Sequence, residues 1–200
     1  MIKNLIFDFG DIFINLDKKA PYREMEKLGL VILTAEFEQL CKDYEMGGIT
    51  SETFMNTLHL MFPKTSITKI KNAWNSIILD FPEYRLDFIE QLAAEKEYRL
   101  FLLSNTNEFH IEKVIKNMGI DRFNRFKNCF EQFYLSHEIK LRKPNTNSYE
   151  FVLEQNSLKA GECFFIDDTQ ENTDAATSTG IKCWNLQVGS EDIINLKNYI

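Results

Sequence analysis

Four polar clusters constrain this chain more than any other feature, because each sits in one order along a series of apolar runs. Phe7-Asp8-Phe9-Gly10 closes the run Ile2 to Phe7, and Ser104-Asn105-Thr106 follows the run Arg99 to Leu103. Lys143-Pro144 comes next, and Ile166-Asp167-Asp168-Thr169 ends the run that begins at Cys163. Short apolar runs bounded by polar residues read as buried strands. A further run spans Ile181 to Leu186, and a shorter one Gln132 to Leu135. Helical patterns over 108–118, 146–155 and 171–179 lie between them, with Gly119 and Gly180 placed as C-terminal caps. Strands alternating with helices predict βαβ units, hence an α/β fold with a Rossmann-like parallel sheet core flanked by helices. Ligands bind such sheets at the carboxyl ends of the strands, so clusters remote in sequence converge on one site.

The segment 17–95 interrupts this alternation. Its pattern predicts helices near 21–28, 34–44, 51–62, 66–78 and 82–95, with Thr34 and Ser51 as N-caps. Phe54, Leu58 and Met61 recur at helical spacing and read as the core of a small bundle. The expected organisation is a catalytic core from 1–16 and 96–200, with 17–95 inserted as a helical cap.

At these residues the chain resembles the haloacid dehalogenase-like hydrolases, a superfamily made up mostly of magnesium-dependent phosphatases. The resemblance runs from Ile2 to Leu16 and from Arg99 to Leu186. It is carried by Leu103-Ser104-Asn105-Thr106-Asn107 with His110 following, by Tyr134-Leu135-Ser136, by Arg142-Lys143-Pro144 and by Phe165-Ile166-Asp167-Asp168. The subgroup it most resembles acts on α-D-glucose 1-phosphate. The resemblance implies a helical cap inserted after the first strand, a lid that excludes water and selects substrate.

The residues themselves carry that chemistry. Asp8 is the candidate nucleophile, since a carboxylate can attack phosphorus and form an aspartyl-phosphate. Asp8, Asp167 and Asp168, with the backbone carbonyl of Gly10, form an oxygen-rich site suited to Mg2+. Ser104 and Asn105 are candidates for an anion cradle, and Lys143 for a fixed positive charge on both the phosphate and Asp8. Arg142 reads as solvated, while Asn172 and Asp174 are candidates to hold the Asp167 loop. In the cap, Glu45 and the Gly47-Gly48 turn are placed to meet substrate, as is His110 in the core. Most phosphatases of the superfamily place an acid/base aspartate two residues after the nucleophile. Here that position is Gly10, and Asp11, His110, Asp168 or a metal-bound water are the alternatives.

A net charge of -7 argues against nucleic acid as a partner and is compatible with a small phosphorylated metabolite. No apolar run approaches the roughly 20 residues that span a bilayer, and no export leader opens the chain, so no membrane partner and a cytoplasmic location are expected. Cys163 and Cys183 read as buried thiols. A monomer or small homo-oligomer is expected. The readings compared are a Mg2+-dependent sugar phosphatase, a metal-independent 2-haloacid dehalogenase, and a non-catalytic phospho-ligand-binding module suggested by Gly10.

Overall fold

A computed structural model describes residues 1–29 and 34–200. From the N-terminus, strand β1 (Asn4–Phe7) is followed by helices α1 (Ala20–Lys27), α2 (Ala35–Glu45), α3 (Ser51–Met61) and α4 (Ile67–Trp74). Helix α5 (Glu83–Glu95), β2 (Arg99–Ser104), α6 (Glu108–Met118), α7 (Ile120–Lys127), β3 (Gln132–Leu135) and the single turn α8 (Ser136–Ile139) come next. Helix α9 (Thr146–Gln155), β4 (Cys163–Asp167), α10 (Gln170–Ser178) and β5 (Lys182–Asn185) complete the core. The strands form one parallel sheet in the order β3-β2-β1-β4-β5, which puts β1 at the centre.

The strand side chains alternate between two cores, as the pleat requires. Leu5, Phe7, Leu100, Leu102, Phe164 and Ile166 enter one layer. Ile6, Phe101, Leu103, Cys163 and Phe165 enter the other. Burial on both faces is why these strands read as continuous apolar runs. In the first layer Phe126 is a hub, with its ring centroid 5.0 Å from those of Phe13, Phe81 and Phe130. This cluster explains much of the high phenylalanine content. Phe126 belongs to α7, a helix absent from the sequence expectation because Phe123 and Phe126 are its buried residues in an otherwise mostly polar stretch.

Helices α1–α4 enclose a separate core that includes Met25, Phe37, Tyr44, Phe54, Leu58 and Trp74. Tyr44 stacks on Phe54 with centroids 4.2 Å apart. Met61, expected in this core, is instead 40% exposed at the end of α3. Thr34 caps α2 by accepting from Phe37 N–H at 3.2 Å. The cap of α3 is Thr50 rather than Ser51, accepting from Thr53 N–H at 3.1 Å. That frees the Ser51 hydroxyl to pair with Tyr44 OH at 2.6 Å.

The chain leaves and re-enters the sheet domain through paired extended segments. Asn15 N–H donates to Asp80 O at 2.9 Å, Leu79 N–H to Asn15 O at 3.1 Å, and Asp17 N–H to Ile77 O at 2.9 Å. Ile78, Phe81, Leu86, Ile89 and Leu92 all lie in the sheet's own core. The chain therefore rejoins the core well before position 95, since the apolar face of α5 is buried against the sheet layer rather than against α1–α4. Among the described residues, no helix is long and apolar enough to cross a membrane.

The helical insertion docks on the core through a backbone contact. Gly47 has φ +63°, and a Cβ there would lie 2.1 Å from the His137 carbonyl oxygen. Backbone cannot yield as a side-chain tip can. Gly47→Ala is therefore expected to cost about 1–3 kcal/mol in chemical denaturation. Gly48→Ala, with its nearest contact at 3.3 Å, is expected to cost less.

Candidate active site

The four clusters converge on one buried ammonium group. Asp8 leaves the end of β1 with its N–H bonded to Ile166 O of β4 at 2.9 Å, so it emerges beside Asp167. Lys143 Nζ lies 2.6 Å from Asp8 Oδ1 and 2.6 Å from Asp167 Oδ2, and its side chain is 1% exposed. Asn105 holds the lysine's main chain in turn: its Nδ2 donates to Lys143 O at 2.8 Å, and its Oδ1 accepts from Lys143 N at 3.0 Å. Both polar atoms of that side chain are thus engaged. Asn105 positions Lys143 rather than cradling an anion through its side chain.

Asp167 is also held from behind. Thr169 N–H donates to its Oδ1 at 2.8 Å, and Asn172 Nδ2 lies 3.0 Å from both of its oxygens. Asp174 takes no part in this and accepts from Gln170 Nε2 on the surface. Burial pushes Asp8 well above the usual carboxylate range, against the pull of Lys143 and with help from Asp167. Burial opposes the charge on Lys143, but Asp167 and Asp8 outweigh it and raise the lysine.

Asp8, Asp167 and Asp168 bring potential ligand oxygens within 4.8 Å of one another. Asp167 is the most committed of the three, because of the donors just described. Lys18 pairs with Asp168 and, at 3.0 Å, with Asp11. Burial raises Asp168 despite Lys18. Lys18 escaped the sequence reading because a lysine pair after a loop aspartate looks solvated. Four carboxylates here face two ammonium groups.

At Gly10 an added Cβ would lie 2.6 Å from Leu16 Cδ1 and 3.7 Å from Asp8 Oδ2. A side chain at this position would face Asp8, and here Leu16 fills that space. Asp11 takes a left-handed backbone conformation (φ 56°), and its Oδ1 accepts from Leu16 N–H at 3.0 Å.

Ser104 is buried at the end of β2. Between the insertion and the core lies a cavity of about 120 Å³ lined by Lys18, Tyr22, Cys41, Glu45, Trp74 and His110 among others. Arg142 Nε donates to Glu45 Oε2 at 2.9 Å, so this arginine is an ion-pair partner and not a solvated group. Ser136, buried beneath the same turn, accepts from Thr106 N–H at 2.9 Å and lies 2.6 Å from Glu45 O. It ties the end of β2 to the helical insertion. Glu45 and His110 thus share one cavity wall, with Lys18 joining that cavity to the carboxylates.

His110 stacks on Trp74, with centroids 5.1 Å apart and planes at 16°. Burial drives its pKa down to about 4, outweighing the Trp74 carbonyl, which favours the charged ring, and aided by His137. Between about 4 and the ordinary value of 6.5 the unfolded chain binds a proton that the folded one does not. Stability from this group is therefore complete above pH 6.5 and is lost as pH falls towards 4, by roughly 3 kcal/mol. Denaturation of wild type and His110→Phe across this range is expected to show the difference between them shrinking by that order as pH falls.

The family model of haloacid dehalogenase-like hydrolases matches residues 5–186. The D-ribitol-5-phosphate phosphatase of Bacteroides thetaiotaomicron is 24% identical over 197 residues, covering 96% of this chain and 95% of that protein. A solved haloacid dehalogenase-family enzyme of Bacteroides thetaiotaomicron superimposes with TM-score 0.87 at 34% identity, covering 98% of each chain. The wild-type form of that enzyme with magnesium and inorganic phosphate gives TM-score 0.82 at 33% identity, covering 96% of this chain and 97% of the other. The chain with this lysine-clamped aspartate at its central strand belongs to the haloacid dehalogenase-like hydrolases.

Proposed function

We propose that the protein is a Mg2+-dependent phosphomonoesterase that hydrolyses a small phosphorylated sugar or sugar alcohol through an aspartyl-phosphate on Asp8. The observation that carries this reading is the buried lysine joining Asp8 to Asp167 beside a third carboxylate, at the carboxyl ends of the strands. The donor set fits the metal. It is all oxygen, it is crowded, and its negative charge exceeds that of the two lysines, which is the setting Mg2+ suits. The relative that acts on ribitol 5-phosphate and the structures holding magnesium and phosphate support the same reading. Asp8 and Asp168, with the Gly10 carbonyl, would hold the ion, while Asp167 acts through Lys143 and Asn172. Magnesium, when bound, supplies positive charge that offsets the charge on the phosphoryl oxygens.

The chain's own residues do the rest. Lys143 holds Asp8 Oδ1, which turns the other carboxylate oxygen towards phosphorus. Asp8 attacks phosphorus, the bond to the ester oxygen breaks, and the departing alkoxide takes a proton from solvent water to leave as the alcohol. Ser104 donates its hydroxyl to a phosphoryl oxygen. Lys143 balances the charge that Asp8 sheds to the acyl phosphate and regains when water attacks phosphorus and frees inorganic phosphate. Position 10 offers no side chain for proton transfer. Helices α1–α4 serve as the cap: the Gly47 and Ser136 contacts hold them against the strand ends, and the leaving group lies in the cavity between.

Phosphate release from a panel containing D-ribitol 5-phosphate, α-D-glucose 1-phosphate and pentose phosphates, with Mg2+ and with chelator, tests this. Mg2+-dependent turnover of one or a few members is expected, with a loss of about a thousandfold or more in Asp8→Asn. No release from folded protein that binds Mg2+, or undiminished release by Asp8→Asn, would overturn the reading.

A further inference from the structure

His110 lines the cavity between the cap helices and the core, and it carries an orphaned donor. Asn107 caps α6, and its Oδ1 accepts from His110 N–H at 3.1 Å and faces Trp74 Nε1 at 3.4 Å. That orientation leaves its Nδ2 as the donor to His110 Nδ1, at 3.1 Å. An imidazole whose Nδ1 accepts carries its proton on Nε2. His110 is 8% exposed, and its Nε2 is buried with no hydrogen-bond partner of good geometry; the Trp74 carbonyl lies near enough to favour the charged ring without meeting that geometry. Buried donors are nearly always satisfied. The ring is fixed by its stack on Trp74 and by Asn107, so the donor cannot turn to find a protein acceptor.

The same cavity holds the opposite function. Glu45 lines it as an acceptor, and Arg142 fixes its carboxylate. Lys18 lines it too and reaches Asp168, so the cavity opens towards the reacting carboxylates. A hydroxyl both donates and accepts, and neighbouring hydroxyls can satisfy His110 and Glu45 together. A second anionic group on the leaving alcohol would meet Glu45, and a cationic one would meet Lys18. A volume of about 120 Å³ is well below the roughly 300–1,000 Å³ of pockets for drug-sized ligands.

We infer that His110 Nε2–H donates to a hydroxyl oxygen of the leaving group, and that with Glu45 it restricts the enzyme to phosphate esters of small, uncharged, polyhydroxylated alcohols. This rests on the phosphatase reading above and deepens it. A site built around a fixed donor discriminates strongly against an analogue that lacks the matching group, because the donor is then left unpaired.

The test compares kcat/KM for the hydroxylated panel member turned over fastest with kcat/KM for pentyl phosphate, which has no hydroxyl. The wild type is expected to prefer the hydroxylated ester. His110→Phe, which keeps a ring over Trp74 but has no donor, is expected to lower that preference about tenfold or more, mainly through KM. His110→Gln, which can again place an N–H there, is expected to recover part of it. An equal change on both esters, or no preference in the wild type, would overturn the inference. A second measurement needs no turnover. The 15N-resolved His110 imidazole signal should show a neutral ring protonated on Nε2, and panel sugar phosphates should shift it while pentyl phosphate does not. A signal that no panel member moves would overturn the inference, whereas a ligand-responsive signal in a protein that hydrolyses no ester would leave it standing and count against the phosphatase reading alone.

Discussion

The structure depends on one buried ammonium group. Lys143 sits where three strand ends meet, and without it Asp8 and Asp167 would be two carboxylates in a water-poor site. Breaking a buried pair of this kind costs more than forming it gains, because the partner left behind stays desolvated. The surrounding hydrogen bonds serve this arrangement. Asn105 fixes the lysine's main chain from the end of β2, while Asn172 and Thr169 fix Asp167 at the end of β4. The ends of β1, β2 and β4 are thereby cross-tied by polar groups, just as their interiors are by apolar ones. The same ties orient Asp8, so the interaction that makes the sheet's end foldable also prepares the carboxylate proposed as nucleophile.

The cap contributes in a different way. Its helices have their own aromatic core, and among their contacts with the sheet domain two involve main chain: the Gly47 backbone against His137, and Ser136 against the Glu45 carbonyl. Glycine at 47 lets the backbones touch, which brings Glu45 and Trp74 over the strand ends and closes a small cavity around His110. The specificity proposed for that cavity thus follows from the closeness of the docking. A looser turn would open it to water and leave the imidazole free to hydrogen-bond solvent.

Much of this was legible in the residues. Strands buried on both faces announce themselves as apolar runs, and chemistry placed at their ends identified Asp8, Lys143, Asp167 and Asp168 as neighbours. What escaped was whatever depends on tertiary partners. Helix α7 was missed because Phe123 and Phe126 are too few to set a period in eight residues. Arg142 read as solvated and Lys18 drew no reading, since only the fold shows that carboxylates wait for them. Asn105 was assigned to an anion, but its geometry commits it to the Lys143 main chain. The early return of the chain to the core at Ile78 was hidden because a helix with an apolar face does not say which core it faces.

A double-mutant cycle on Asp8 and Lys143 tests the central claim most directly. Unfolding free energies would be measured for the wild type, Lys143→Met, Asp8→Asn and the pair together. The account predicts that Lys143→Met alone costs about 3–5 kcal/mol and that adding Asp8→Asn recovers part of this, giving a coupling energy above about 1 kcal/mol. Costs that simply add would contradict it, because the lysine would then stabilise the strand ends without engaging Asp8.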